Sequence, residues 1–207
     1  MPDSDFSNAR RAFFRRAAHK TGEAIVRQAD AHAAGRAAHW IRPPWALDEL
    51  EFLLACTRCG ACVEACPHGV IFALPARLGA QVAGTPALDL LHHGCHLCED
   101  WPCAESCEPA ALARPVSEGA APPPRLPRLA RAAIDTTACL AWQGPECGAC
   151  AASCPVEGAL CWDGEKPRID MDRCCGCGLC REACIVDPRA VRVGSLYRRE
   201  AAAGERE

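Results

Sequence analysis

Sixteen of the eighteen cysteines in this 207-residue chain fall into four groups of four, and that pattern constrains its fold more than anything else in it. The first group is Cys56, Cys59, Cys62 and Cys66, with gaps of two, two and three residues. The second is Cys95, Cys98, Cys103 and Cys107, with gaps of two, four and three. The third, Cys139, Cys147, Cys150 and Cys154, has gaps of seven, two and three, and the fourth, Cys174, Cys177, Cys180 and Cys184, repeats the first. Cys161 and Cys175 are left over and are expected to be free thiols. At about 9% cysteine the chain is near the level of a cross-linked or metal-built scaffold. Aromatic residues make up only 5% of it, so the remaining Ala-rich sequence has little apolar area to bury. Something other than a hydrophobic core must hold such a chain together.

Cys-x-x-Cys-x-x-Cys-x-x-x-Cys-Pro is the run with which bacterial ferredoxins hold [4Fe–4S] clusters, its fourth cysteine serving the other cluster of a two-cluster unit. The reason is geometric. Three thiolates on a tight loop cap three irons of one cube. The third and fourth cysteines are four apart, so on a helix they share a face one turn apart and the fourth reaches a different cube. Pro67 and Pro155 follow the fourth cysteine of their groups; Glu108 and Ile185 stand there in the other two. Structural zinc normally takes two Cys-x-x-Cys pairs separated by a long spacer, and four cysteines within eleven residues (56–66) are crowded for one ion and natural for a cube. A disulfide scaffold needs a secretory context, and a thioredoxin-like dithiol uses a single Cys-x-x-Cys. The cofactors expected are therefore four [4Fe–4S] clusters.

Spacing orders the groups. Nineteen residues separate the third from the fourth, 28 the first from the second and 31 the second from the third. Residues 113–132, with five prolines, lie in that longest gap and read as an extended linker. Adjacent pairing then gives Cys56, Cys59, Cys62 and Cys107 to one cluster, and Cys95, Cys98, Cys103 and Cys66 to a second. Cys139, Cys147, Cys150 and Cys184 hold a third, and Cys174, Cys177, Cys180 and Cys154 a fourth. Cys174 rather than Cys175 keeps the two-residue gap to Cys177. The alternative is nested pairing, outer group with outer and inner with inner. The fold class expected is α+β: two bacterial two-cluster ferredoxin-like units, 43–112 and 133–195, in one chain preceded by an N-terminal helix and ending in a charged tail, 196–207. Short strands are expected at Val70–Leu74, Arg168–Met171 and Val191–Val193, and a short helix at Leu47–Ala55. Gly60, Gly148, Gly176 and Gly178 beside the ligands serve tight turns and let backbone amides approach cluster sulfurs. His68, His92, His93 and His96 are expected as exposed or flanking imidazoles, since all four cysteines of the neighbouring group are present.

Residues 1–42 carry a net +4 and residues 43–207 a net −7, a basic arm on an acidic body. The arm is Ala-rich and proline-free from 8 to 38, with a thin stripe of Phe14, Ala18, Ile25 and Ala29. It is either a mostly exposed helix that packs weakly or a solvated tail. The arm is expected to make a weak contact with an acidic surface. No stretch is apolar for long enough to span a membrane, and there is no Gly-x-Gly-x-x-Gly, no Gly-Lys-Ser/Thr and no haem-attachment Cys-x-x-Cys-His. No catalytic dyad accompanies the cysteines, so neither an enzyme nor a nucleic-acid partner is expected.

Ile41-Arg-Pro-Pro-Trp45, Cys56-Thr-Arg-Cys-Gly-Ala-Cys62, Cys95-His-Leu-Cys-Glu-Asp-Trp-Pro-Cys103 and Ala138-Cys-Leu-Ala-Trp-Gln-Gly144 resemble the ferredoxin-type iron–sulfur proteins of the periplasmic nitrate reductase and methylamine-utilisation systems. The likeness spans roughly 41–193 and includes the odd cysteine gaps. It implies four [4Fe–4S] clusters, a redox or molybdoenzyme protein partner, and a role either as an electron carrier or in maturing the partner. The alternatives are an exported carrier between a quinol dehydrogenase and a periplasmic reductase, or a structural iron–sulfur subunit of a larger complex. Ala9-Arg-Arg-Ala-Phe-Phe-Arg15 looks like a twin-arginine export motif, but charges interrupt residues 16–27 where export needs an apolar run. The full-length chain is therefore expected in the cytoplasm, with export to the periplasm as the alternative.

Overall fold

The structure, a computed structural model, describes residues 23–115 and 126–198. Phe14, Ala18 and the arginine pair at 10–11 lie outside the described residues, as do 116–125 of the proline-rich segment and the end of the tail. The described part of the arm is a helix, α1, over residues 23–37. Its early residues are exposed (Ile25 64%, Val26 55%), as a weakly packed helix should be. Its end departs from that expectation. Ala33 and Ala37 are buried, and Ala37 packs with Trp40, Leu74, Val82 and Ala87 in a small core of its own. Small side chains let the helix come close, and Ser195 Oγ donates to Ala37 O at 2.6 Å from the far end of the chain.

α2 (Glu49–Ala55) runs directly into Cys56 and buries Phe52 completely. Each later helix is one turn long and lies within a cysteine group: α3 (Ala61–Glu64), α4 (Pro102–Glu105), α5 (Leu140–Gln143) and α6 (Leu179–Glu182). In the third group a 3₁₀ turn, Ala151–Ser153, stands between Cys150 and Cys154. The sheet is in three separate antiparallel pairs. β1 (Ile71–Ala73) pairs with β2 (Pro86–Leu88), from Ile71↔Leu88 to Ala73↔Pro86. β3 (Ala130–Ile134) pairs with β6 (Val191–Ser195), from Ala130↔Ser195 to Ile134↔Val191. β4 (Leu160–Asp163) and β5 (Lys166–Ile169) form a hairpin whose two-residue loop begins at Gly164, φ 60°. The mixture of short helices and small sheets is α+β.

An antiparallel bridge joins Ala46 to Leu112 on either side of the first two cysteine groups, and β3 pairs with β6 on either side of the last two. The ribbon β1–β2 lies between the first and second groups, and β4–β5 between the third and fourth. The main core joins Phe52, Val70, Leu88, Leu90, Trp101 and Leu112 with Leu129, Ala130, Cys175 and Cys177 from later in the chain. Trp45 stands edge-on to Trp101 at 5.3 Å. The segment 113–132 is therefore not irregular to its end: Leu129 N donates to Cys175 O at 2.7 Å, and Ala130 opens β3. Alternating buried Ala130 and Ala132 give that strand a core-facing side despite the nearby prolines.

Candidate functional site

Three of the four cysteine loops are shaped by left-handed backbone just before their second cysteine. Arg58 (φ 60°) precedes Cys59, Leu97 (φ 52°) precedes Cys98 and Gly176 (φ 76°) precedes Cys177. A residue in this conformation turns successive N–H groups toward one side and forms an anion-binding concavity. At Gly176 glycine is also required by space, since a Cβ there would lie 2.1 Å from Ala130 O. Gly60 and Gly178, both at φ 81°, cap α3 and α6, so that Cys62 and Cys180 fall in the first turn and are buried. Cys66 and Cys184 then follow just past the helix end, displaced from their partners by one turn.

That displacement sends the fourth cysteine of each group to a neighbouring one. Cys56, Cys59 and Cys62 line a small enclosed cavity whose fourth sulfur is that of Cys107. Cys95, Cys98 and Cys103 line a second with Cys66. Cys139, Cys147 and Cys150 line a third with Cys184. The remaining four are electrostatic neighbours. Burial pushes the Cys180 thiol up to about 12, with repulsion from Cys177, Cys174, Cys150 and Cys154 adding to it. α3 packs against α4 and α6 against the 3₁₀ turn, which is what brings each exchanged pair together.

The thiols are buried and crowded against one another. Burial pushes Cys62 up to about 11 and Cys103 to about 12, with neighbouring sulfurs adding in both cases. Burial likewise takes Cys95 to about 11; the Leu97 amide opposes it, and the sulfurs of Cys177, Cys98 and Cys66 reinforce it. Such thiols stay protonated at neutral pH unless a cation replaces the proton, and bound metal does so outright. Backbone donors already point at the sulfurs: Leu112 N–H donates to Cys107 Sγ at 3.4 Å, and the Gly176 amide works against burial at Cys174. The residues present therefore fit groups with several cationic metals held by four thiolates each.

The two leftover cysteines separate. Cys161 is exposed on β4, its thiol 3.0 Å from Gly158 O. Cys175 is buried, and its hydrogen bond with Cys177, followed by burial, drives the Cys177 thiol far above its ordinary value. Of the histidines, His68 and His96 stack face to face at 3.6 Å, both on the wall of the cavity holding Cys66, Cys95, Cys98 and Cys103. His92 pairs with Asp89 at 2.8 Å, and His93 lies 3.8 Å from Glu182. Sequence spacing did not reveal that stack. It also missed a contact between Cys95 and Cys177, for which Gly94 and Gly178 beside the ligands were the only signals.

A family model described as a 4Fe-4S binding domain matches residues 54–72, which hold the first cysteine group. The chain is 33% identical over 165 residues to the ferredoxin-type protein NapG of Escherichia coli, covering 74% of this chain and 69% of that one. It is 31% identical over 204 residues to the methylamine utilization ferredoxin-type protein MauM of Methylobacillus flagellatus, covering 89% and 82%. With the ferredoxin-type protein NapF of Escherichia coli it shares 32% identity over 163 residues, covering 73% and 84%.

Proposed function

Since the chain belongs to the NapG, NapF and MauM ferredoxin-type iron–sulfur proteins, we propose that it is a four-cluster electron carrier built from two two-cluster ferredoxin-like units, 43–112 and 133–195. The observation that carries this reading is the exchange of fourth cysteines. Cys107 completes the set begun by Cys56, and Cys66 the set begun by Cys95. Cys184 completes the set begun by Cys139, and Cys154 lies with Cys174, Cys177 and Cys180. In each set the four cysteines would hold one [4Fe–4S] cube, which supplies one-electron redox chemistry when bound. The protein's part is to bury the sulfurs, supply them with backbone donors and fix the spacing of the sets.

The partner in this reading is a redox or molybdoenzyme protein of a nitrate reductase or methylamine-utilisation type of system, and the chain itself is not an enzyme. Buried ligands such as Cys103 and Cys177, each 7% exposed, favour carrying electrons over donating clusters to a maturing partner. The charged residues at 16–27 support a cytoplasmic site for the full-length chain, which cell fractionation tests; a processed periplasmic form would overturn it. The central experiment is metal analysis of anaerobically purified protein. The expected content is about 16 iron and about 16 acid-labile sulfide per chain. Zinc without sulfide would end the reading.

A further inference from the structure

The two halves meet through a contact between residues 90–95 and 176–182 that is closer than side-chain packing alone would allow. Cys95 N–H donates to Cys177 O at 2.7 Å, so a member of the second cysteine set is one hydrogen bond from a member of the fourth. Gly94 N–H donates to Glu182 Oε2 at 2.7 Å, and Arg181 Nε donates to Leu91 O at 3.1 Å. The backbones approach because Gly94 has no side chain: a Cβ there would lie 2.8 Å from the Cα of Leu179. Within each half the sets are already adjacent, through α3 and α4 in one and through α6 and the 3₁₀ turn in the other.

We infer that this contact joins the two halves into one row of four redox sites, in the order first, second, fourth, third, with the Cys95–Cys177 hydrogen bond as its central junction. The inference rests on the four-cluster reading above. Tunnelling falls steeply with distance and passes more readily along covalent and hydrogen bonds than across a gap. The ligand-to-ligand bond is therefore where one half communicates with the other, and a single electron crossing it oxidises one site and reduces its neighbour. Cys177 is buried at the junction, 7% exposed.

The test uses the full-length, cluster-loaded chain, reduced anaerobically and read by electron paramagnetic resonance after iron and sulfide are counted. Cys59→Ala/Cys147→Ala retains the second and fourth sets; Cys98→Ala/Cys174→Ala retains the first and third. The expected result is a split, broadened spectrum of two interacting spins from the first double variant and two independent spectra from the second. Two counted clusters without interaction in the first variant, or interaction in the second, would overturn the order. Should a double variant lose its remaining clusters, Gly94→Val in the otherwise native chain carries the test. It is expected to keep full iron and sulfide but lose the part of the broadening that crosses between halves; an unchanged spectrum would overturn the junction. Fewer than four clusters in the native chain would instead count against the proposed function, so the two failures are distinguishable.

Discussion

Arg42 and Glu49 form a two-pronged ion pair that is almost wholly buried, with Nε donating to Oε2 at 2.9 Å and Nη2 to Oε1 at 2.6 Å. Arg42 Nη1 also donates to Thr85 Oγ1 at 2.9 Å and to Pro86 O at 2.7 Å, and Trp40 Nε1 donates to Glu49 Oε1 at 3.2 Å. The guanidinium lies 4.5 Å from the centre of the Phe52 ring. One arginine thus ties the end of the arm to β2 and to the start of α2, the helix that leads into Cys56.

Breaking that pair from one side should be costly. Glu49→Leu leaves a buried guanidinium without its counter-charge, an effect of about 3–5 kcal/mol. The double substitution Arg42→Met/Glu49→Leu removes both charges and should recover most of the loss. Denaturation of the loaded protein, followed by its visible absorption, checks both; a double variant as unstable as the single one would contradict the argument.

Ligand identity is checked by counting iron. Cys174→Ala should remove about four irons per chain, one cube's worth. Cys175→Ala should leave the count unchanged, because its role is packing and a hydrogen bond to Cys177. Equal loss from both would refute the register. Pairing is read from which substitutions delete the same spectroscopic signal. Cys66→Ala should match Cys95→Ala, and Cys107→Ala should match Cys56→Ala. A match of Cys66→Ala with Cys174→Ala would restore the nested arrangement.

Acid should loosen the clusters. The thiols of Cys62, Cys95, Cys103 and Cys180 all lie above the ordinary value of 9.0, at about 11 or about 12. In the folded chain each prefers its proton throughout the neutral range, so binding metal displaces protons and affinity falls as pH falls. Loss of visible absorption in the presence of a chelator should be faster at pH 6 than at pH 8, and reconstitution should release protons. A rate that rises with pH over that interval would contradict the sign. The linkage of the same groups to folding runs in the other direction. These thiols contribute their full stabilisation to the cluster-free fold below pH 9 and lose it as pH rises toward 11–12, because the unfolded chain gives up its thiol protons first.

The end of α1 should behave as part of the body. Ala37→Leu forces extra volume into a site with no exposure, at about 1–3 kcal/mol. It should speed tryptic cleavage at Arg36, whose side chain now bonds Leu78 O at 2.8 Å and Gln81, without changing iron content. Loss of clusters would show that the helix supports the first cysteine set as well.

How far the sequence reached depends on whether a feature is local. The cysteine gaps, the left-handed turns beside them and the one-turn helices between third and fourth cysteines are all settled within a dozen residues, so the candidate ligands and their loops were legible. So were β1, β5 and β6 to within two residues or so, because their apolar runs are short and bounded by turns. The fate of the arm was not. A few alanines on a helix carry no sign of where they pack, and Ala37 is buried only because Trp40, Val82 and Ser195 converge on it. The proline-rich segment hid the start of β3, since alanines at 130 and 132 become a core face only when β6 pairs with them. The Arg42–Glu49 pair joins residues near in sequence, yet its burial depends on Thr85 and Pro86. By itself the sequence determined the cysteine groups and the loops that present them, because spacing and turn geometry impose those locally. Only the tertiary structure decided how the halves lie against each other and that Cys95 touches Cys177, because contacts between segments 82 residues apart depend on packing that no local pattern encodes.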